Sequence, residues 1–229
     1  WPCFAYAPEV SASCQSDFGA DAKMVDAETS AGMYNPIYYL IVGVPSLIDL
    51  DPTFVVWGMR LLTGLVAAAL IAGTFTVLSR IMSRLASIAL LVSLLTPMVI
   101  FLAAIGNPDA WEILGGLGFL AGMLWFSVSP VVSGRAGKMP AILVGAGGFL
   151  AANARGVSPF WMLVLGLIFL IATQGSRVRE LLRNAAFLTG LGFAVFGAVV
   201  GAAWTLLTGT LNKMGDFPGQ EMSPAAAFM

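Results

Sequence analysis

Four long apolar stretches, separated by short polar segments, dominate the chain. They cover residues 53–78, 86–105, 111–132 and 185–208. Each reaches the length of about 20 apolar residues that a helix needs to cross a bilayer. Pro97 lies inside the second stretch, where a proline removes a backbone hydrogen bond and predicts a kink. The pattern therefore predicts four membrane-spanning helices.

A shorter apolar stretch, residues 36–48, precedes these spans. At about 1.5 Å per residue it is too short to cross a hydrocarbon core of about 30 Å. Tyr38 and Tyr39 near its start are typical of a membrane–water interface. We predict a helix that lies at the outer surface of the membrane or dips into it.

A second irregular region lies before the last span. Residues 139–152 and 158–174 are apolar, and a polar break that includes Asn153 and Arg155 separates them. The first arm would be about 21 Å long as a helix, which is too short for a comfortable crossing. We predict a membrane hairpin whose tip lies near the outer surface. Non-helical backbone at that depth needs protein or water around it, so Arg155 is expected to face a cavity.

Composition supports the membrane interpretation and excludes several other classes. The chain is 59% hydrophobic and 10% charged, whereas a soluble domain is about 25% charged. There is no histidine, which excludes histidine-based acid–base chemistry and histidine metal ligands. No phosphate-binding glycine loop, nucleophile elbow or basic patch is present, so no nucleic-acid partner is expected. The predicted fold class is all-α, a polytopic transmembrane helical bundle with an interfacial helix and a short membrane hairpin.

The distribution of charge predicts the orientation. Seven of the eleven basic residues fall in three loops on one side: Arg80, Arg84, Arg135, Lys138, Arg177, Arg179 and Arg183. Because Lys and Arg accumulate in cytoplasmic loops, that side is predicted to be cytoplasmic. The chain then makes five full or near-full crossings and one short hairpin arm. Residues 1–35 and 209–229 become extracytoplasmic segments on either side of a transmembrane domain, residues 36–208.

Both cysteines, Cys3 and Cys14, lie in the polar N-terminal segment. An extracytoplasmic position would expose them to an oxidising compartment, where a disulfide between them would close a small loop. Two free or separately used thiols are the alternative. Their spacing does not suggest a zinc site.

Several residue groups resemble one family. They are Cys3-Phe4-Ala5, Pro8-Glu9-Val10, Ser13-Cys14, Tyr34-Asn35-Pro36-Ile37-Tyr38-Tyr39, Met59-Arg60-Leu61-Leu62, Thr96-Pro97, Asn107-Pro108-Asp109 and Trp111-Glu112. In this order they resemble the DUF2142 family of polytopic bacterial membrane proteins, which is common in actinobacteria. That family is similar in turn to the GT-C superfamily of membrane glycosyltransferases.

The resemblance implies a GT-C-like fold and a sugar transferase in a bacterial plasma membrane. Such an enzyme would move a sugar from a polyprenyl-phosphate donor to an extracytoplasmic cell-envelope acceptor. The essential acid of GT-C enzymes lies soon after the first transmembrane helix. The resemblance therefore implies that the essential acid lies upstream of Trp1 and that further helices follow Met229. The catalytic residue within this chain is unknown.

Asp109 and Glu112 are candidate substrate-binding residues at the outer end of a predicted helix. They could bind an acceptor hydroxyl or a divalent cation, which is the one cofactor we consider. Alternatively, they complement the positive end of the helix dipole. Asn107, just before them, could bind substrate or cap the helix.

Arg155 is the strongest candidate for binding a lipid phosphate, because the guanidinium group forms paired hydrogen bonds with phosphate oxygens. Snorkelling or a structural ion pair is the alternative. Arg60 could pair with Asp51 or Asp109, or bind a lipid phosphate. Tyr38 and Tyr39 could anchor their helix at the membrane interface. As candidate substrate-binding residues, they could instead provide aromatic surfaces on which a sugar binds.

Two other functions stay open alongside the transferase. A transporter or flippase of lipid-linked sugar could use the same cavity and arginine without catalysis. A non-catalytic subunit of a larger complex could bind a protein partner through residues 185–208. Gly192, Gly197 and Gly201 in that span are suited to close helix packing. The expected partners are thus membrane lipid, a polyprenyl-phosphate-linked sugar and this protein partner.

Overall fold

The computed structural model describes residues 9–14, 34–48, 51–129 and 134–210. Within these residues all regular structure is helical, which confirms the all-α prediction. The α-helices are α1 (Pro36–Val42), α2 (Pro52–Leu78), α3 (Arg84–Leu94), α4 (Pro97–Ile105), α5 (Asp109–Val128), α6 (Lys138–Ile142), α7 (Gly148–Ala152), α8 (Ser158–Ala172), α9 (Gly175–Leu181) and α10 (Ala185–Thr208). Short 3-10 turns cover Ala12–Cys14, Val44–Leu47 and Gly134–Gly137.

Three helices are long and apolar enough to cross a membrane. They are α2, α5 and α10, with 27, 20 and 24 residues and mean hydropathies of 2.2, 1.4 and 2.0. Asp51 and Asn184 cap α2 and α10 by accepting hydrogen bonds from backbone N–H groups in the first helical turn. These three helices confirm the spans predicted at 53–78, 111–132 and 185–208.

The span predicted at 86–105 is not one kinked helix. It consists of α3 and α4, which meet at 71°. Pro97 begins α4, and the Thr96 hydroxyl accepts a hydrogen bond from the Val99 N–H group at 3.4 Å. A capping threonine followed by proline starts a new helix, and this explains why the break is sharper than a kink. Helices α8 and α9 form a second bent pair at 120°, so the described chain has three candidate crossings, or up to five if each bent pair is one span.

The first arm of the predicted hairpin runs through α6, a π-helical segment (Leu143–Gly147) and α7. This hairpin arm lies between α5 and α10, and glycines permit the close approach on both sides. A Cβ atom on Gly147 would lie 2.7 Å from the Gly115 carbonyl oxygen of α5. A Cβ atom on Gly190 of α10 would lie 2.5 Å from the Ala141 carbonyl oxygen of the arm.

The small-residue face of α10 therefore packs within the chain. Gly190, Gly197 and Gly201 face the hairpin arm, whereas a Cβ atom on Gly192 would have nothing within 4 Å. Gly192 was predicted on the wrong face, because the five residues to Gly197 turn the helix by about 140°. The glycine face predicted to bind a protein partner is thus covered by the arm. Large apolar side chains such as Phe193 remain exposed on other faces.

The basic loops meet at one end of the bundle. An Arg80 terminal nitrogen donates to the Ala136 carbonyl oxygen at 3.1 Å, which joins the loop after α2 to the loop before α6. Arg177 of α9 donates to the Phe126 carbonyl oxygen at 2.8 Å and 3.1 Å, and so joins the C-terminal end of α5. We call this the basic end. That it faces the cytoplasm, and that both chain ends lie outside, stay predictions.

Candidate functional site

At the other end of the bundle, the tip of the hairpin contacts the start of α5. The Arg155 guanidinium group forms an ion pair with the Asp109 carboxylate. The Arg155 side chain is 46% exposed and that of Asp109 is 17% exposed. The cation is thus half open to its surroundings, while its carboxylate partner is mostly covered.

A pocket of about 240 Å³ opens beside this ion pair. It is lined by Tyr34, Tyr39, Ile105, Gly106, Asn107, Pro108, Asp109 and Arg155. The pocket lies between α1, the turn that joins α4 to α5, and the hairpin tip. Arg155 therefore lines a cavity, as expected from its place in a short membrane hairpin.

The turn between α4 and α5 orients the acidic wall of this pocket. Gly106 ends α4 with a positive φ of 78°, which allows the chain to reverse. The Asn107 side-chain oxygen accepts a hydrogen bond from the Asp109 N–H group at 2.9 Å. Asn107 thus caps the start of α5 while it also lines the pocket. Asp109 lies in the first helical turn, where the helix dipole favours a negative charge.

Glu112 fastens the hairpin tip to α5 by a second link. Its carboxylate accepts a hydrogen bond from the Ser158 hydroxyl at 2.8 Å, and that hydroxyl accepts from the Arg155 backbone N–H group at 2.9 Å. Glu112 does not line the pocket. Within the described residues, no group of three Asp, Glu or Cys side chains is placed to hold a metal ion.

A buried pair of asparagines, neither of which was a candidate site residue, supports the hairpin tip. The Asn35 amide donates to the Asn153 side-chain oxygen at 2.9 Å. The Asn153 amide donates to the carbonyl oxygens of Phe149 at 2.8 Å and Gly197 at 3.0 Å. The sequence did contain a signal for this pair, because Asn153 is a polar amide at the end of an apolar arm. A buried amide needs hydrogen-bond partners.

Only one of the two candidate tyrosines reaches the pocket. Tyr38 is 1% exposed, and its ring packs edge-on against Trp111 with a hydroxyl hydrogen bond of 2.9 Å to Thr63. It is therefore a core residue, which contradicts both expected surface roles. Tyr39 lines the pocket. Burial raises the pKa of the Tyr39 phenol, with smaller contributions from Tyr34 and Asp109, so the phenol is a neutral donor at neutral pH.

Arg60 does not share the pocket with Arg155. Its Nε atom donates to the Ala104 carbonyl oxygen at 2.8 Å, and its guanidinium group lies 4.6 Å from the centre of the Trp57 ring. No described carboxylate forms a salt bridge with Arg60, so its expected pairing with Asp51 or Asp109 is wrong. The Ala104 carbonyl was not predictable, because hydropathy does not show which backbone groups approach an arginine.

The predicted disulfide involves Cys3, which lies outside the described residues. Cys14 ends the 3-10 turn Ala12–Cys14. The pairing of the two cysteines therefore stays a prediction.

An all-α bundle with three to five candidate crossings defines a polytopic membrane protein. The family model described as "Predicted membrane protein (DUF2142)" matches residues 2–223. The chain belongs to this family. No curated protein matches it, and no solved structure matches it. The likeness to GT-C enzymes thus rests on the resemblance of sequence motifs alone.

Proposed function

We propose that this chain is part of a bacterial membrane glycosyltransferase and that its pocket binds the phosphate of a polyprenyl-linked sugar. One observation carries this proposal. Arg155 is a half-exposed arginine at the tip of a membrane hairpin, and it lines a pocket beside the start of α5. A cation at such a position is costly unless it is paired or solvated, and its exposed fraction leaves room for an anion.

Asp109 and an incoming phosphate would compete for the same guanidinium group. In the free protein, Asp109 is the carboxylate that contacts Arg155 within the described residues. Arginine binds phosphate through a planar array of N–H donors, so a phosphate can occupy the donors that face the pocket. The neutral Tyr39 phenol, on the same pocket wall, supplies a further donor to a phosphate or sugar oxygen.

The reaction is a displacement at the anomeric carbon of the donor sugar. An acceptor hydroxyl oxygen forms a bond to that carbon, and the bond from the carbon to the phosphate oxygen breaks. The electron pair leaves with polyprenyl phosphate, where Arg155 stabilises the added negative charge. The hydroxyl proton passes to a base. We assign no described residue as this base, since Asp109 and Glu112 are both engaged with the hairpin tip.

The orientation proposed from the basic loops places this chemistry outside the cell. The pocket lies at the end of the bundle opposite to Arg80 and Arg177, which the charge rule assigns to the cytoplasm. The donor and a cell-envelope acceptor would then meet at the outer surface of the plasma membrane.

Binding of a polyprenyl monophosphate to the full-length protein in mixed micelles tests the proposal. Arg155→Ala should weaken binding by about tenfold or more, because it removes a charge-assisted contact. Asp109→Asn should leave binding intact or strengthen it, because the competing carboxylate charge is gone. Arg84→Ala, at the exposed start of α3 on the basic end, is the matched control and should bind like the wild type.

Transfer is then measured as the release of polyprenyl phosphate from a polyprenyl-phosphate-linked sugar donor. Loss of release in Arg155→Ala, at normal protein levels, supports the transferase. Unchanged binding in Arg155→Ala would refute the phosphate site. Sugar-lipid translocation without any release would favour a flippase, and neither activity would favour an accessory subunit.

A further inference from the structure

An apolar groove lies along α2, and none of its lining residues lines the pocket of Arg155. An open groove of about 520 Å³ lies between the segment before α2 and the first turns of α2. Val44, Pro45 and Ile48 line one side, and Trp57, Gly58 and Leu61 line the other. We call this the α2 groove. Its walls are almost wholly apolar, so its occupant must present a hydrocarbon surface.

The α2 groove is open to the surroundings of the bundle. Ile48, Trp57 and Leu61 are 74%, 61% and 63% exposed. On a soluble protein such a surface would need a protein partner. On a membrane helix, the surrounding solvent is lipid, and hydrocarbon chains are the molecules that reach the groove.

Arg60 is the cation next to this groove, and it contacts the groove through Trp57. It lies about 12 Å along α2 from the start of that helix. Its guanidinium group stacks over Trp57, whose ring is a wall of the groove. The Nε atom is bound to the Ala104 carbonyl oxygen, and neither terminal nitrogen has a hydrogen-bond partner among the described residues. An arginine at this depth needs a counter-charge, and no described carboxylate provides one.

We propose that the α2 groove and Arg60 bind one phospholipid of the surrounding bilayer. Its phosphate contacts the terminal nitrogens of Arg60, and one acyl chain lies along the groove. Charge complementarity selects this occupant: a cation with no salt-bridge partner among the described residues stacks on a wall residue of an apolar groove, and a phospholipid joins one phosphate to long hydrocarbon chains. Stacking on Trp57 fixes the plane of the guanidinium group, which lowers the entropic cost of phosphate binding.

The site is separate from the pocket of the proposed function. Arg60 is absent from the lining of that pocket, and its Nε atom donates to Ala104, which does not line the pocket either. The stem of Arg60 lies near Gly106, a lining residue, so the two sites are neighbours with different linings. The phospholipid site therefore makes its own prediction. Arg155→Ala should leave phospholipid binding unchanged, whatever it does to polyprenyl phosphate.

The test is a titration of the full-length protein with dioleoyl phosphatidylglycerol, with bound lipid counted by native mass spectrometry. Arg60→Gln and Leu61→Asn should each weaken the tightest binding event by about tenfold, since the first removes the counter-charge and the second makes the groove polar. Two matched controls should bind like the wild type. Arg84→Gln removes an arginine at the basic end, and Leu65→Asn changes a leucine of α2 that is 56% exposed and lies outside the groove.

Several outcomes would overturn the proposal. If Arg60→Gln binds phosphatidylglycerol within threefold of the wild type, the proposed contact between Arg60 and the phosphate is refuted. If Arg84→Gln loses as much affinity as Arg60→Gln, the effect is general electrostatic attraction and not a specific site. Tight binding of polyprenyl monophosphate but not of phosphatidylglycerol would show that the groove binds the sugar-carrier lipid and not a bilayer phospholipid. If Arg60→Gln does not fold, a photoreactive acyl chain on phosphatidylglycerol should label Trp57 and Leu61 in the wild type, and labelling spread over other helices would contradict the site.

Discussion

Replacing Gly190 by alanine tests the close approach of α10 to the hairpin arm. An added Cβ atom would lie 2.5 Å from the Ala141 carbonyl oxygen, where ordinary contact begins at 3.4 Å. The two backbones would have to separate by up to 0.9 Å along that direction. The obstacle is a backbone carbonyl, which has no rotamer through which to move aside. Gly192 of the same helix has open space at the equivalent position and is the matched control.

The expected effect follows from two opposing contributions. Overpacking of a close contact costs about 1–3 kcal/mol. Alanine is favoured over glycine inside a helix by about 0.8–1.0 kcal/mol, and both positions gain this because both lie in the interior of α10, beyond its first turn. The propensity contribution cancels between the two variants. Gly190→Ala should therefore be less stable than Gly192→Ala by about 1–3 kcal/mol.

Unfolding in mixed micelles with increasing SDS measures the difference, since the six tryptophans report the loss of packing by fluorescence. Gly192→Ala is expected to unfold at or slightly above the wild-type midpoint, and Gly190→Ala below it. Equal midpoints for the two variants would refute the interpretation that α10 packs on the arm through its glycines. A destabilised Gly192→Ala with an unchanged Gly190→Ala would place the opposite face of α10 in contact.

Three further predictions concern the links that hold the ends of the bundle. Asn153→Leu leaves the buried Asn35 amide without its partner and should cost about 1–3 kcal/mol in the same unfolding titration. Ser158→Ala removes the acceptor of the Arg155 N–H group, so amide exchange at Arg155 should accelerate at least tenfold, whereas Ser158→Thr should preserve slow exchange. Arg177→Gln removes a charged donor from the last carbonyls of α5 and should lower the SDS midpoint, and a midpoint equal to the wild type would show that the contact contributes nothing.

The sequence predicted the parts of the fold that depend on bulk hydrophobicity. The bounds of α10 agree with the predicted span at both ends, and α2 begins one residue before its predicted start. Burial in lipid demands a continuous apolar stretch, so these boundaries are visible in composition alone. The ion pair between Asp109 and Arg155 was within reach too, since an ion pair with an acid of another loop was one of the alternatives for Arg155.

What the sequence did not show depends on local caps and on packing direction. The 71° break between α3 and α4 arises because Thr96 caps a new helix, although the apolar character continues through it. Tyr38 fits an interface by composition, yet its ring is buried against Trp111 of α5 and its hydroxyl forms a hydrogen bond with Thr63 of α2. Arg60 contacts a backbone carbonyl and an aromatic ring, whereas a carboxylate was expected. Such pairings follow from three-dimensional neighbours, which a single sequence does not encode locally.

The position of the hairpin arm between α5 and α10 sets an order of assembly during translation. Helix α5 and the arm are synthesised first, and the arm can then pack on α5 alone. Until α10 follows from the ribosome, the Asn153 amide lacks the Gly197 carbonyl and the Gly156 carbonyl lacks the Thr205 hydroxyl. In a nascent chain that ends before α10, the hairpin tip that carries Arg155 would thus lack these two hydrogen bonds. All the residues that line the pocket precede α10 in the chain, but the two hydrogen bonds that α10 makes to the hairpin tip form only after α10 has been synthesised.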